Sequence, residues 1–152
     1  MRKYSAIFIL LILSVTACRQ GSEKIERETL NNAIKEAGIN SNHYRWMVVL
    51  PSLGCNGCIQ EGEAFMKENI TDTHILFILT NISSLKILQQ KTNIRISEHS
   101  NIFVDRNNLF DIPTNNRIYP CVAELKDGKV FSHLFQRPQS AAFVHLEHQL
   151  KN

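Results

Sequence analysis

Two cysteines with two residues between them, Cys55 and Cys58, lie between an apolar segment and an amphipathic one. Residues 46–50 form a short, continuous apolar run, which is typical of a buried strand, and Pro51 follows it. Residues 58–69 place their apolar side chains at helical spacing and their charges on the other side. The sequence therefore predicts a strand, a short loop, and a helix whose beginning carries the cysteine pair.

This placement predicts thiol–disulfide chemistry. A thiolate at the start of a helix meets unpaired backbone N–H groups and the positive end of the helix dipole, which lower the pKa of a cysteine. We predict that Cys55 is the exposed attacking thiol and that Cys58 resolves the mixed disulfide. Zinc ribbons also use this spacing, but they need a second such pair, and the sequence has none. The expected redox group is the Cys55–Cys58 disulfide, with no metal and no other cofactor.

The N-terminal segment has the pattern of an export signal. Arg2 and Lys3 are followed by an apolar run over residues 6–15 and by small residues that lead to Cys18. A run of about ten residues is too short to span a hydrocarbon core of about 30 Å. Val-Thr-Ala-Cys at the end of the segment resembles the lipobox of bacterial lipoproteins, in which the cysteine becomes the acylated first residue. The alternative is an ordinary secretory signal with a chance cysteine.

The lipoprotein interpretation divides the chain into three parts. Residues 1–17 are predicted to be the signal peptide, residues 18–24 a tether with Cys18 as the lipidation site, and residues 25–152 one folded domain. Several lipid chains anchor a protein firmly, since each buried methylene contributes about 0.8 kcal/mol. We therefore expect a lipid-anchored protein of the bacterial cell envelope that faces the periplasm, where disulfides form and persist.

Helical and strand-like patterns alternate along the rest of the chain. With 152 residues, 43% of them hydrophobic, the chain is long enough for one core and too short for two. Asp127-Gly128 predicts a tight hairpin turn. Pro138 is suited to the first position of a last helix, whose predicted buried stripe is Phe143, Val144, Leu146 and Leu150. The order predicts an α/β fold, a three-layer sandwich with a mixed central sheet and flanking helices. The predicted helices cover residues 25–37, 58–69 and 138–150, and a further helix that ends at Gln90 is capped by Ser83 or Ser84. The predicted strands cover residues 46–50, 74–80, 101–105, 121–125 and 130–134.

Two segments together resemble a known superfamily. Trp-Met-Val-Val-Leu precedes Cys-Asn-Gly-Cys-Ile-Gln-Glu at residues 55–61, and Arg-Ile-Tyr-Pro-Cys-Val-Ala-Glu-Leu-Lys-Asp-Gly-Lys-Val occupies residues 117–130. Residues 40–150 resemble the thioredoxin-like superfamily, and within it the exported disulfide reductases related to TlpA and ResA. The resemblance implies a thioredoxin-like sandwich. It also implies that Pro120 is a cis-proline facing the disulfide and that the backbone of Tyr119 pairs with an extended substrate. The alternative for Pro120 is a trans proline in an ordinary loop.

Other positions near the two segments depart from the superfamily or allow two interpretations. Gly54 precedes the first cysteine where the family usually has an aromatic or proline-like neighbour, and Val49 takes the place of thioredoxin's buried acid. Glu61 is either a favourable charge in the first helical turn or a proton relay to Cys58. Cys121 is a small buried hydrophobe by default, and a third redox thiol is the alternative.

The net charge argues against a nucleic-acid-binding protein, and the placement of the histidines argues against a histidine metal site. The chain carries a net charge of +3, and the part after residue 17 has 15 basic residues against 14 acidic ones, so no basic patch suggests nucleic acid. His145 and His148 share a helix face but have no third ligand, and we interpret them as surface residues.

The expected function is that of an enzyme, a membrane-anchored thiol–disulfide oxidoreductase that reduces disulfides in exported proteins. Its expected partners are exported protein dithiols and disulfides, a membrane electron donor and, through the lipid anchor, the membrane. One alternative is a redox-inactive thioredoxin-like binding module for extended polypeptide, although the two retained cysteines argue against it. A weaker alternative is a copper-delivery protein, which typically has three residues between its cysteines and an added histidine ligand.

Overall fold

The computed structural model describes residues 21–151. The predicted signal peptide and the lipidation site Cys18 lie outside the described residues. Residues 21–36 are helical and form α1, so residues 21–24, predicted as part of the tether, belong to a helix instead. A Lys24–Glu28 ion pair of 3.9 Å joins successive turns there and favours the helical conformation. No helix among residues 21–151 is both long and apolar enough to cross a membrane.

Five strands and three further helices follow α1 in the predicted order. Two boundaries agree with local sequence signals: Ser84 caps α3 by accepting a hydrogen bond from the Ile87 N–H at 3.3 Å, and Asn93 ends that helix in a left-handed conformation. The elements are β1 (Trp46–Pro51), α2 (Asn56–Asn69), β2 (Ile75–Thr80), α3 (Leu85–Thr92), β3 (Ile102–Asp105), β4 (Cys121–Lys126), β5 (Lys129–Phe135) and α4 (Ala142–Leu150). Short 3-10 turns lie at Ser41–His43, Ile96–Glu98 and Asn115–Ile118.

The strands form one mixed sheet, as predicted, in the order β3-β2-β1-β4-β5. The first three strands run parallel to one another, β4 pairs antiparallel with β1, and β5 pairs antiparallel with β4. β1 is therefore central, paired with β2 on one side and with β4 on the other. This pairing brings the start of β4 beside the end of β1, because Cys121 lies opposite Val49.

Alternate residues of β1 contribute to two hydrophobic cores on opposite faces of the sheet. Met47 and Val49 face α1, where they pack with Leu30 and Ala33. Trp46, Val48 and Leu50 face α2 and α4, where Phe65 and Phe143 stack with ring centroids 5.0 Å apart. The continuous apolar run of β1 is explained by this burial on both faces.

The β4–β5 hairpin closes as the sequence predicts. Asp127 and Gly128 have φ values of 52° and 71°, and positive φ at two successive residues is the requirement of a type I′ turn. Ser41, in the 3-10 turn before β1, holds this hairpin turn in place, because its hydroxyl donates a hydrogen bond of 2.6 Å to the Gly128 carbonyl.

The last helix begins later than predicted, because Pro138 lies in a tight turn rather than at its first position. The Ser140 N–H donates to the Arg137 carbonyl at 3.0 Å, so the chain reverses around Pro138 before α4 begins at Ala142. The buried face of α4 also differs from the predicted one at Val144. Phe143 is buried there, whereas Val144, predicted in the buried stripe, is 64% exposed.

Candidate functional site

The two cysteines of the predicted redox pair form a disulfide at the start of α2. Cys55 is the N-cap residue, with extended backbone angles, and Cys58 lies inside the first helical turn. Their Cα atoms are 5.3 Å apart, within the usual range for a disulfide. Cys55 is partly exposed, whereas Cys58 is only 4% exposed. Cys55 is therefore the more accessible cysteine of the pair.

The residue before the disulfide is a glycine for a steric reason. Gly54 has a φ of 147°, which side chains rarely tolerate. A Cβ added there would lie 2.7 Å from the Cα of Ile118. The backbone N–H of Cys55 donates a hydrogen bond to the carbonyl of Ile118 at 3.0 Å. The glycine at position 54 thus accompanies a close approach of two backbones.

That contact brings the second segment of the resemblance beside the first. Residues Asn115–Ile118 form a 3-10 turn, and Tyr119 and Pro120 follow it into β4. The Tyr119 ring lies 5.9 Å from the Arg137 guanidinium. The Tyr119 N–H donates to the Asn116 carbonyl at 2.9 Å, so the expected pairing with a substrate backbone is left to the Tyr119 carbonyl.

The expectation that Pro120 is a cis-proline is wrong, since residues 21–151 contain no cis peptide bond. Tyr119 has φ −112° and ψ 144°, the extended conformation that a residue before a trans proline prefers. The Pro120 carbonyl accepts a hydrogen bond of 2.8 Å from the Gln136 N–H. The trans bond therefore leads directly into the pairing of β4 with the end of β5.

Glu61 is held by a side chain that sequence analysis missed. Its carboxylate accepts a hydrogen bond of 2.5 Å from the side-chain amide of Gln136. The other end of the same amide accepts the N–H of Phe143 at 3.2 Å, and so satisfies a free donor in the first turn of α4. Gln136, 8% exposed, thus links α2 and α4 next to the disulfide. No local pattern around Gln136 could have revealed its contact with Glu61, which lies 75 residues earlier in the sequence.

An open groove of about 720 Å³ runs alongside the disulfide. Cys55, Cys58 and Glu61 lie on its α2 side, and Gln136 and the residues that follow it lie on the opposite side. The groove brings together the redox pair and Glu61, for which a proton relay was one of two interpretations. Tyr119, Pro120 and Cys121 are not among the residues that line it.

Cys121 is a free thiol that is fully buried in the core facing α1. Burial, together with the nearby carboxylate of Glu26, raises the pKa of the Cys121 thiol far above its ordinary value. A thiol that stays protonated is a poor nucleophile. Both observations support the buried-hydrophobe interpretation over the third redox thiol.

Sequence analysis also missed a buried carboxylate that holds the turn next to Cys55. Glu26, 1% exposed, accepts hydrogen bonds from the Thr114 hydroxyl at 2.6 Å, the Asn116 amide at 2.7 Å and His133 Nε2 at 2.9 Å. Burial by itself raises the pKa of Glu26, but the hydrogen bonds from His133, Thr114 and Asn116 outweigh it and lower the pKa below its ordinary value. The carboxylate thereby ties α1 and β5 to the turn that ends at Ile118.

The two histidines that share a helix face in the sequence do not line the groove. His145 and His148 are exposed on α4. Among residues 21–151, no three His, Cys, Asp or Glu side chains are grouped closely enough to hold a metal ion.

Comparison of the chain with family models, with curated proteins and with solved structures finds no match.

Proposed function

We propose that the protein is a thiol–disulfide oxidoreductase with a thioredoxin-like fold, and that it reduces disulfides in exported proteins. The observation that carries the proposal is the Cys55–Cys58 disulfide at the start of α2, with Cys55 accessible and Cys58 buried. The sheet order supports the fold assignment, because the cysteine pair follows the central strand β1 and the β4–β5 hairpin completes the sheet.

The proposed reaction is a pair of disulfide exchanges. In the reduced enzyme, the Cys55 thiolate attacks one sulfur of a substrate disulfide, and the other substrate sulfur leaves as a thiolate that takes up a proton. The Cys58 thiol then loses its proton and attacks the Cys55 sulfur of the mixed disulfide. This step releases the second substrate thiol and forms the Cys55–Cys58 disulfide. Two electrons have passed to the substrate, and a membrane dithiol donor restores the reduced enzyme.

The surroundings of the cysteines support a reductase more than an oxidase. A strong oxidant stabilises its reduced form by stabilising the thiolate with positive charge or hydrogen bonds. The residues between the cysteines, Asn56 and Gly57, carry no charge, and the next charged residue along α2 is acidic, Glu61. We expect a reduction potential nearer that of thioredoxin, about −270 mV, than that of DsbA, about −120 mV.

A redox titration tests the proposal. The protein is equilibrated with glutathione buffers of known ratio, and the oxidised fraction is read by alkylation and mass spectrometry. A potential above about −180 mV, the value of protein disulfide isomerase, would contradict the reductase assignment but not the active cysteines. In the reduced protein, Cys55 should be alkylated faster than Cys58. Equal, slow alkylation without exchange would favour the binding module instead.

The proposed location depends on residues 1–18 and has a separate test. Lipidation of Cys18 would anchor the enzyme in the bacterial envelope and place the disulfide chemistry in an oxidising compartment. Mass spectrometry of the protein from cells should find lipid on the N-terminal cysteine, and the Cys18→Ser variant should lose stable membrane association. A mature protein without lipid on Cys18 would contradict the anchor.

A further inference from the structure

The groove beside the disulfide runs along one face of α2. Cys58, Glu61, Ala64 and Glu68 all line it, and their spacing of three and four residues places them in one row on the helix. The rise of an α-helix puts Glu68 about 15 Å beyond Cys58 along the axis. The groove therefore extends from the reactive sulfurs toward the C-terminal end of α2.

Part of the groove wall is apolar and open to solvent. Val144, which lines the groove from α4, is 64% exposed, and Phe65 and Phe143 form a buried floor between the two helices. Val144 thus offers one apolar contact to a chain that lies in the groove, above the floor that Phe65 and Phe143 form.

The charges along the groove are mainly negative. Glu61 and Glu68 line it from α2, and Glu147 lines it from α4. Glu61 is already hydrogen-bonded to an amide, but in the described part of the chain neither Glu68 nor Glu147 forms a salt bridge.

Among residues 21–151, Arg137 is the one basic residue that lines the groove, and it contacts other partners. Arg137 donates a hydrogen bond of 2.7 Å to the Asn116 side chain, and its guanidinium lies 5.9 Å from the Tyr119 ring. Arg137 keeps its charge, because its hydrogen-bond partner is a neutral amide, but within residues 21–151 it forms no salt bridge with Glu68 or Glu147. These two carboxylates, toward the end of the groove away from the disulfide, therefore remain available to a basic side chain.

We propose that this groove binds the substrate segment that carries the reacting cysteine, and that Glu68 and Glu147 select a lysine or arginine in that segment. The proposal rests on the proposed function, since it specifies which substrates react with the Cys55–Cys58 pair. An extended chain advances about 3.3 Å per residue, so a span of about 15 Å corresponds to four or five residues. The preferred substrate is an extended polypeptide with a basic side chain four or five residues from its cysteine.

Disulfide-linked peptide homodimers test this preference. Three peptides share one cysteine and an otherwise neutral sequence, and carry Arg, Gln or Glu five residues from the cysteine. A mirrored set places the same residue on the other side of the cysteine. The full-length reduced protein in detergent reduces each dimer, and the second-order rate constant is measured from the peptide thiol released after acid quenching. In at least one set, the Arg peptide should react about three- to fivefold faster than the Gln peptide, as expected for partly exposed ion pairs, and the Glu peptide slowest.

Variants assign the preference to the groove. The Glu68→Gln/Glu147→Gln double variant should bring the Arg-to-Gln rate ratio close to one. The Glu28→Gln/Glu36→Gln double variant removes the same charge from exposed positions on α1, across the sheet, and should keep the ratio. High salt should reduce the ratio in the wild-type protein, because exposed charges are screened.

The possible failures are distinguishable. Equal rates for the Arg and Gln peptides in both sets would overturn the inference and leave the oxidoreductase function standing. The inference would also be overturned if the Glu68→Gln/Glu147→Gln variant still reduced the Arg peptide faster than the Gln peptide. A rate for oxidised glutathione equal to that of the Arg peptide would overturn it as well. No exchange with any peptide or with glutathione would overturn the proposed function together with the inference.

Discussion

The backbone N–H of Cys55 donates a hydrogen bond of 3.0 Å to the carbonyl of Ile118, so the first cysteine of the disulfide is fixed by a turn from the second half of the chain. Gly54 makes this approach possible, because a side chain there would overlap the Ile118 backbone. The position of the accessible sulfur therefore depends on two segments far apart in sequence.

The Gly54→Ala variant tests this dependence. The added methyl group meets backbone atoms at a φ that alanine rarely adopts, so we expect the free energy of unfolding to fall by about 1–3 kcal/mol. Urea denaturation of the oxidised protein, followed by the fluorescence of the single, buried tryptophan, Trp46, measures the change. Gly57→Ala is the matched control, since a Cβ at Gly57 meets nothing within 4 Å. Equal stability of the two variants would contradict the steric role of Gly54.

Local sequence signals were sufficient to predict the order of the helices and strands and several of the residues at which they begin or end. The hairpin at Asp127-Gly128 and the cap at Ser84 were predictable because each is determined by residues next to one another. The cysteine pair at the start of a helix was predictable for the same reason. These features need no knowledge of how the sheet is assembled.

The rest of the site depends on contacts that the sheet creates. Glu26 meets His133 across 107 residues, and Glu61 meets Gln136 across 75, and no local pattern encodes such pairs. The expected cis bond at Pro120 came from a resemblance, whereas the extended Tyr119 here leads into β4 through a trans bond. The start of α4 was misplaced because Pro138 suits a tight turn as well as a helix start.

Stability at low pH should depend on Glu26. Because hydrogen bonds lower its pKa in the folded protein below the ordinary 4.5, the carboxylate contributes stability that is present above about pH 4.5 and is lost as the pH falls through the lowered pKa. Glu26→Gln removes the charge from the pairing with His133, and we expect it to cost about 1–3 kcal/mol at pH 7. The difference from wild type should shrink as the pH is lowered from 5 to 3.

Denaturation curves at pH 7, 5, 4 and 3 measure this prediction. Glu36→Gln, at an exposed position on the same helix, is the control and should follow the wild-type curve. A difference between Glu26→Gln and wild type that is constant over the whole range would show that the charge of Glu26 has no part in its effect.

Cys121 should have no role in disulfide exchange. Its thiol is fully buried and its pKa is raised by burial, so a thiol reagent should modify Cys55 in the reduced native protein and reach Cys121 only after denaturation. Cys121→Ala should keep the exchange rate and lose about 1 kcal/mol of stability. Loss of exchange in a Cys121→Ala protein that folds normally would make Cys121 a third redox thiol.

The two cysteines of the disulfide should respond in opposite ways to substitution. Cys58→Ser keeps the accessible thiol but removes the group that attacks the mixed disulfide, so the complex between Cys55 and a substrate sulfur should accumulate. Cys55→Ser leaves only the buried sulfur of Cys58, which is 4% exposed, and should form no such complex. Each variant is incubated with a disulfide-linked peptide dimer, and the adduct is measured by non-reducing mass spectrometry. An adduct on Cys58 of the Cys55→Ser variant, formed as fast as that on Cys55 of the Cys58→Ser variant, would reverse the assignment of the attacking thiol.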